Sequence, residues 1–142
     1  MFADAVRTLL EQGRGKYRNI MVVGPTNCGK TFLLEPLRTI FSTFLNAATT
    51  TYAWLGVEDA EIILLNDFRW SSELIAWKDL LLLLEGQGLH FPAPKSQYAH
   101  DIYLEQDTPI FATSKSKITF VGKYNSSDYR ETELMEARWR WR

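Results

Sequence analysis

The chain holds 142 residues, 46% of them hydrophobic, and its 16 lysines and arginines against 17 aspartates and glutamates leave a net charge of −1. That length suits one domain with its own core, the near-neutral balance excludes a polycation that coats nucleic acid by counterion release, and no apolar run approaches the ~20 residues a membrane span needs. The single cysteine, Cys28, excludes an internal disulfide and a cysteine-based metal site, and the first residues lack the basic-then-apolar order of a secretory signal, so a soluble intracellular protein is expected.

In chain order, Phe2, Ala5, Val6, Leu9 and Leu10 fall at helical spacing, and the pattern predicts a helix over 1–12 closed by Gly13 and Gly15. The run "NIMVV" (19–23) reads as a short buried strand ending at Gly24. A helix follows from about Gly29 to Phe44, presenting Phe32, Leu33, Leu37, Ile40 and Phe41 to a core. Then "TTTYAWL" (49–55) and "EIILLND" (61–67) read as strands, the second apolar on both faces, and "SSELIAWKDLLLLLEG" (71–86) as a buried helix opened by a serine cap. The stretch 88–105, with prolines near its middle, reads as a hairpin. "TPIFATS" (108–114) is a further buried strand, "SDYRETELMEA" (127–137) a helix with a serine or aspartate cap, and "ARWRWR" (137–142) a last strand of alternating faces. Short buried strands separated by helices predict an α/β domain with a mostly parallel central sheet covered on both sides.

One stretch carries chemistry outright. Gly24-Pro25-Thr26-Asn27-Cys28-Gly29-Lys30-Thr31 fits G-x-x-x-x-G-K-[ST], between a predicted strand and a predicted helix. Glycines let successive backbone amides turn toward an anion, and the helix adds its positive end. Lys30 supplies a point charge to the outer phosphates and Thr31 a hydroxyl to Mg²⁺. By composition alone the fixed positions coincide in roughly one chain of this length in a few hundred. A magnesium–nucleotide site also needs an acid at a neighbouring strand end. "IILLNDF" offers Asn66 and Asp67, of which Asp67 alone carries charge.

The order of "GPTNCGKT", "TYAWLGVEDAEIILLNDF" and "LLLLEGQGLHFPAPKSQYAHDIYLEQDTPIFATSKS" resembles the superfamily 3 helicase domain, the AAA+ motor of papillomavirus, parvovirus and circular single-stranded DNA virus replication proteins. The resemblance implies a P-loop NTPase fold with a β-hairpin inserted before the sensor strand. It implies ATP and Mg²⁺ as cofactors, single-stranded DNA as partner, a ring that is usually a hexamer, and a viral protein of the host nucleus. Residue by residue, it implies that 24–31 bind the phosphates and that Thr31 and Asp67 hold the metal, with Asn66 beside it in the acidic pair. Lys95 stands at the tip of a DNA-contacting hairpin, Lys115 at the polar sensor position, and Arg138 as the arginine that reaches a neighbouring subunit's nucleotide. It also implies that residues 1–142 are one motor domain of a longer protein.

Two positions depart from the family pattern. Asn66 stands where the first of two acids is usual, and Lys115 where asparagine is usual. Asn66 still offers a carbonyl but no charge, which lowers the expected Mg²⁺ affinity or turnover; Lys115 offers a cation to the γ-phosphate. Asn66 therefore keeps open a nucleotide-binding scaffold that hardly hydrolyses. A small-molecule kinase, the third reading, needs a lid of arginines, whereas the arginines here gather at the last strand. His90 and His100, without partners at ligand spacing, are expected at the surface.

Overall fold

A computed structural model describes residues 2–25, 29–45, 54, 56–72, 74–91, 102–116, 118 and 129–141, with the side chains of residues 31, 129 and 141 excepted. Helix α1 (Phe2–Gln12) leads into strand β1 (Asn19–Val23), then helix α2 (Lys30–Ile40), β2 (Thr43–Leu45), a 3-10 turn (Val57–Asp59) and β3 (Ile62–Leu65). Helix α3 (Trp77–Glu85), the hairpin strands β4 (Leu89–Phe91) and β5 (Ile102–Leu104), β6 (Ile110–Ser114), α4 (Tyr129–Glu136) and β7 (Trp139–Trp141) complete the described elements.

Five strands form one parallel sheet in the order β2-β3-β6-β1-β7, with Ile20 opposite Phe111 and Leu64 opposite Phe111 on its other side. Parallel strands buried on both faces need apolar residues at every position, and β3 and β6 are buried throughout. Alternate residues feed two cores. Ile20, Val22, Ile62, Leu64 and Phe111 meet α1 and α2 on one face. Met21, Ile63, Leu65, Ile110 and Ala112 meet α3, Met135 of α4 and the hairpin on the other.

The second face is tied at two places. Trp54 stacks between Phe44 (5.8 Å) and Phe91 (5.0 Å), and its Nε1 donates to Leu74 O. The last carbonyls of α3 are met by donors from outside the helix, three of them distant in sequence and one the local Gln87 amide. Arg138 Nε reaches Leu81 O (3.0 Å), the Gln87 amide Leu82 O (3.1 Å), Arg14 Nε Leu83 O (2.8 Å) and Asn19 Nδ2 Leu84 O (2.7 Å). Two guanidinium ions at the negative end of a helix add favourable charge. Gly86 ends α3 at φ 96°, where a side chain is strained, and an added Cβ would stand 3.0 Å from Arg14 O.

Three expectations need correction. The helix expected to run to Phe44 stops at Ile40; Phe41 is extended, and Thr43–Leu45 pairs in parallel with Ile62–Leu64 as an edge strand. "TIFSTFL" is β-branched and aromatic, so periodicity alone does not separate helix from strand there, and the neighbouring β3 decides. Phe32, Leu33 and Ile40 are not core residues: they are 81%, 51% and 69% exposed, and among the described side chains of α2 Leu34 is the buried one. Third, α3 begins at Trp77, not at a serine cap, because the Ser71 carbonyl takes the amides of Leu74 and Ile75 in a turn and Ala76 is extended. Of "TTTYAWL" only Trp54 is described, in a turn. The hairpin's strands pair as expected, Leu89 with Leu104 and Phe91 with Ile102, while its tip, with Lys95 and His100, lies outside the described residues. His90 is exposed and stacks on Tyr103 at 4.3 Å.

Candidate nucleotide site at the carboxyl edge of the sheet

The connection leaving β1 travels to β2 at one edge of the sheet, and the connection leaving the adjacent β6 travels to β7 at the other. Right-handed crossovers then put the two connections on opposite faces, in keeping with Leu34 of α2 and Met135 of α4 in different cores. The carboxyl ends of β1 and β6 are thus the switch point, where open parallel sheets bind ligands. Gly24 leaves β1 there, its amide donating to Ser114 O at the end of β6 (3.1 Å).

The chain then passes through Thr26, Asn27 and Cys28, outside the described residues, and re-enters at Gly29. Gly29 takes φ 86°; nothing lies within 4 Å of a Cβ built on it, so backbone conformation, not space, favours glycine. It precedes the first turn of α2 with no side-chain cap. Lys30 folds back over its own loop, Nζ donating to Gly24 O (2.5 Å) and Pro25 O (2.7 Å). The Thr31 side chain is outside the described part.

Asn66 and Asp67 sit where β3 ends, two strand spacings or about 10 Å from β1. Asp67 is exposed and adopts φ 52°, a conformation that aspartate tolerates better than most residues. The neighbouring strand holds it so. Its amide donates to Thr113 Oγ1 (2.7 Å), the Thr113 hydroxyl donates to Asn66 Oδ1 (2.9 Å), and the Phe68 amide donates to Thr113 O (2.7 Å). Thr113 itself is buried. Its part went unread in the sequence, where "FATS" signals only a strand; a hydroxyl in an otherwise apolar buried run was the available clue.

Lys115 follows β6 and is exposed. It lines a cleft of about 330 Å³ with Phe68, Arg69 and Trp70 from the β3 exit. Arg138 stands elsewhere, at the opposite end of the sheet from Gly24. It precedes β7 at the amino end of the sheet, only 6% exposed, with its guanidinium donating to Leu81 O and Leu134 O and lying 3.6 Å from Glu85. A cation so enclosed caps a helix and is engaged within its own chain. Arg14 is buried beside it at the same helix end; burial pushes its guanidinium below the ordinary value, and Asp107 partly counters that.

Among the described residues no three acidic, histidine or cysteine side chains gather as a metal cage. A strand-end carboxylate at the same edge of the sheet as a lysine-bearing loop fits Mg²⁺ carried by a nucleotide, since that ion keeps waters and phosphate oxygens and takes only one or two protein groups.

The molecule is thus an α/β protein with a parallel sheet flanked by helices, of the kind P-loop NTPases use. No family model matches the chain, and no curated protein matches it in sequence. A crystal structure of the JCV (JC virus) helicase bound to a phenylacetamide compound is similar to it, with a TM-score of 0.60 and 15% identity over 98% of this chain. The match takes in 38% of that helicase's chain. The likeness is one of fold alone.

Proposed function

We propose that this chain is an ATP-hydrolysing motor domain that acts on single-stranded DNA as a ring oligomer in replication of a small DNA genome. One observation carries the proposal: a G-x-x-x-x-G-K-T segment leaves the sheet at its switch point, and an acid ends the next strand but one at the same edge.

Lys30 trades the carbonyls of Gly24 and Pro25 for phosphate oxygens, a stronger charge-assisted contact. Thr31 and Asp67 hold Mg²⁺, which neutralises charge growing on the transferred phosphoryl group. Asp67, whose amide is held by Thr113, also orients the attacking water in this reading. Lys115 approaches the γ-phosphate side from the end of β6, and Lys95 on the hairpin meets DNA. The cation supplied in trans is left unassigned, since Arg138 is engaged within its own chain. Assembly is supported by α2, whose Phe32, Leu33 and Ile40 face outward beside the edge strand β2 and its exposed Leu45.

A second reading, a scaffold that binds ATP and hardly cleaves it, is favoured by Asn66, which leaves the acidic pair one charge short. Phosphate release from ATP, with and without single-stranded DNA, separates the two. The motor reading expects Mg²⁺-dependent turnover, stimulated by DNA and lost in Lys30→Ala. Tight binding without turnover selects the scaffold, and turnover that survives Lys30→Ala sinks both.

A further inference from the structure

The cleft where Lys115 lies holds a second cation, Arg69, that the motor reading does not use. Arg69 and Lys115 stand on its rim, both exposed, and neither side chain has an ion pair or hydrogen bond to the described residues. Among the described residues that line it there is no carboxylate, although the chain has more acids than bases. Its apolar floor is firm. Phe68 is 1% exposed, Ile118 is 6% exposed, and Trp70 is held by Nε1 donating to Ile75 O (3.0 Å) and by an edge contact to Trp77 at 5.0 Å.

The opposite end of the sheet has the opposite sign. A cleft of about 620 Å³ at the start of β3 and β6 collects Glu11, Glu58, Asp59, Glu61 and Asp107, with no lysine or arginine among the described residues that line it. Two cations lining one cleft favour an anion seated between them. A shallow cationic recess with a rigid aromatic wall suits a phosphate group that carries a planar substituent.

Position narrows the source. Phe68, Trp70 and Ile118 belong to the core shared with α3 and the β4–β5 hairpin, whereas α2, which follows the phosphate loop, packs on the other face. We infer that this cleft is a phosphate-binding subsite with Arg69 as its anchoring cation, and that a phosphodiester of a nucleic-acid strand running on the hairpin face is the occupant its position favours. The inference deepens the motor reading and rests on it only for the identity of that strand. The alternative source of the same chemistry is the terminal phosphate of a nucleotide.

The test measures affinity, not turnover, on the whole chain. Wild type, Arg69→Gln and Arg69→Lys are titrated with a fluorescent oligothymidylate, and separately with a fluorescent ATP analogue, across a salt series. Arg69 is exposed, so the variants should melt with wild type. Loss of one phosphate contact should weaken oligothymidylate binding about fivefold at 0.1 M salt and flatten the salt slope by about 0.7. Arg69→Lys should recover most of both. A loss confined to the ATP analogue upholds the phosphate subsite and assigns it to the nucleotide. Unchanged affinity for both probes in Arg69→Gln, or a wild-type chain that binds neither, overturns the inference. The two proposals fail separately: an active ATPase whose Arg69→Gln variant binds like wild type loses the cleft, and a chain without turnover whose variant loses oligothymidylate loses the motor.

Discussion

The Thr113 hydroxyl donates to Asn66 Oδ1 at 2.9 Å while it accepts the Asp67 amide at 2.7 Å. One buried side chain on β6 thereby ties down both residues that follow β3. A carboxylate at residue 66 accepts the same hydrogen bond, so Asn66→Asp should keep the geometry and restore the missing charge. Turnover at limiting Mg²⁺ should rise about tenfold or more, a change of about 1.4 kcal/mol in the barrier. Thr113→Val should do the reverse, lowering kcat with little change in nucleotide affinity. Steady-state rates over a Mg²⁺ series check both, and an unaltered Mg²⁺ dependence in Asn66→Asp argues against residue 66 as part of the metal site.

Arg138 is expected to matter for folding. Arg138→Met keeps the apolar stem but strands the Leu81 and Leu134 carbonyls and the Glu85 partner. We expect a loss of about 2–4 kcal/mol and a melting temperature lower by roughly 10 °C. Calorimetry decides the matter. A variant that melts with wild type but has lost activity only in the assembled state returns Arg138 to the trans role.

Acid sensitivity should be traceable to Glu85. The hydrogen bond from Lys16 holds its carboxyl below the usual range, burial works against this, and Arg138 adds a smaller attraction. Lys16 Nζ lies 3.1 Å from Oε1. Because the folded-state value is the lower one, its contribution is complete above the unfolded value of about 4.3. It disappears as pH falls through the folded value. Denaturant titrations should therefore show Glu85→Gln less stable than wild type at pH 7 and the difference closing below about pH 4. A constant difference across that window rejects the ionic origin.

The outward face of α2 predicts an assembly defect without a folding defect. Leu33→Lys with Ile40→Lys alters side chains that are 51% and 69% exposed, so unfolding should move by no more than about 0.5 kcal/mol. Light scattering with nucleotide and DNA present should show the wild type assembling and the double variant monomeric. Equal masses for the two place the contact elsewhere.

Local signals sufficed where a residue's role is played out within a few positions. "NIMVV", "IILL" and "IFATS" are short apolar runs that only a doubly covered strand explains, and the phosphate-loop spacing marks the first strand's exit. The hairpin strands and the final strand were legible for the same reason. The strand at Thr43–Leu45 was not, because its composition suits either period and its partner, Ile62–Leu64, lies beyond a long connection.

What the sequence determined by itself is the α/β class, the order of most elements and the residue types at the carboxyl edge, since hydrophobic period and glycine spacing are local properties. The tertiary structure alone decided which polar side chains are engaged. Arg138 meets Leu81 across 57 positions, Asn19 meets Leu84 across 65, and Thr113 meets Asn66 across 47. Buried donors and acceptors must find one another wherever packing leaves them, and no spacing rule along the chain encodes where that is.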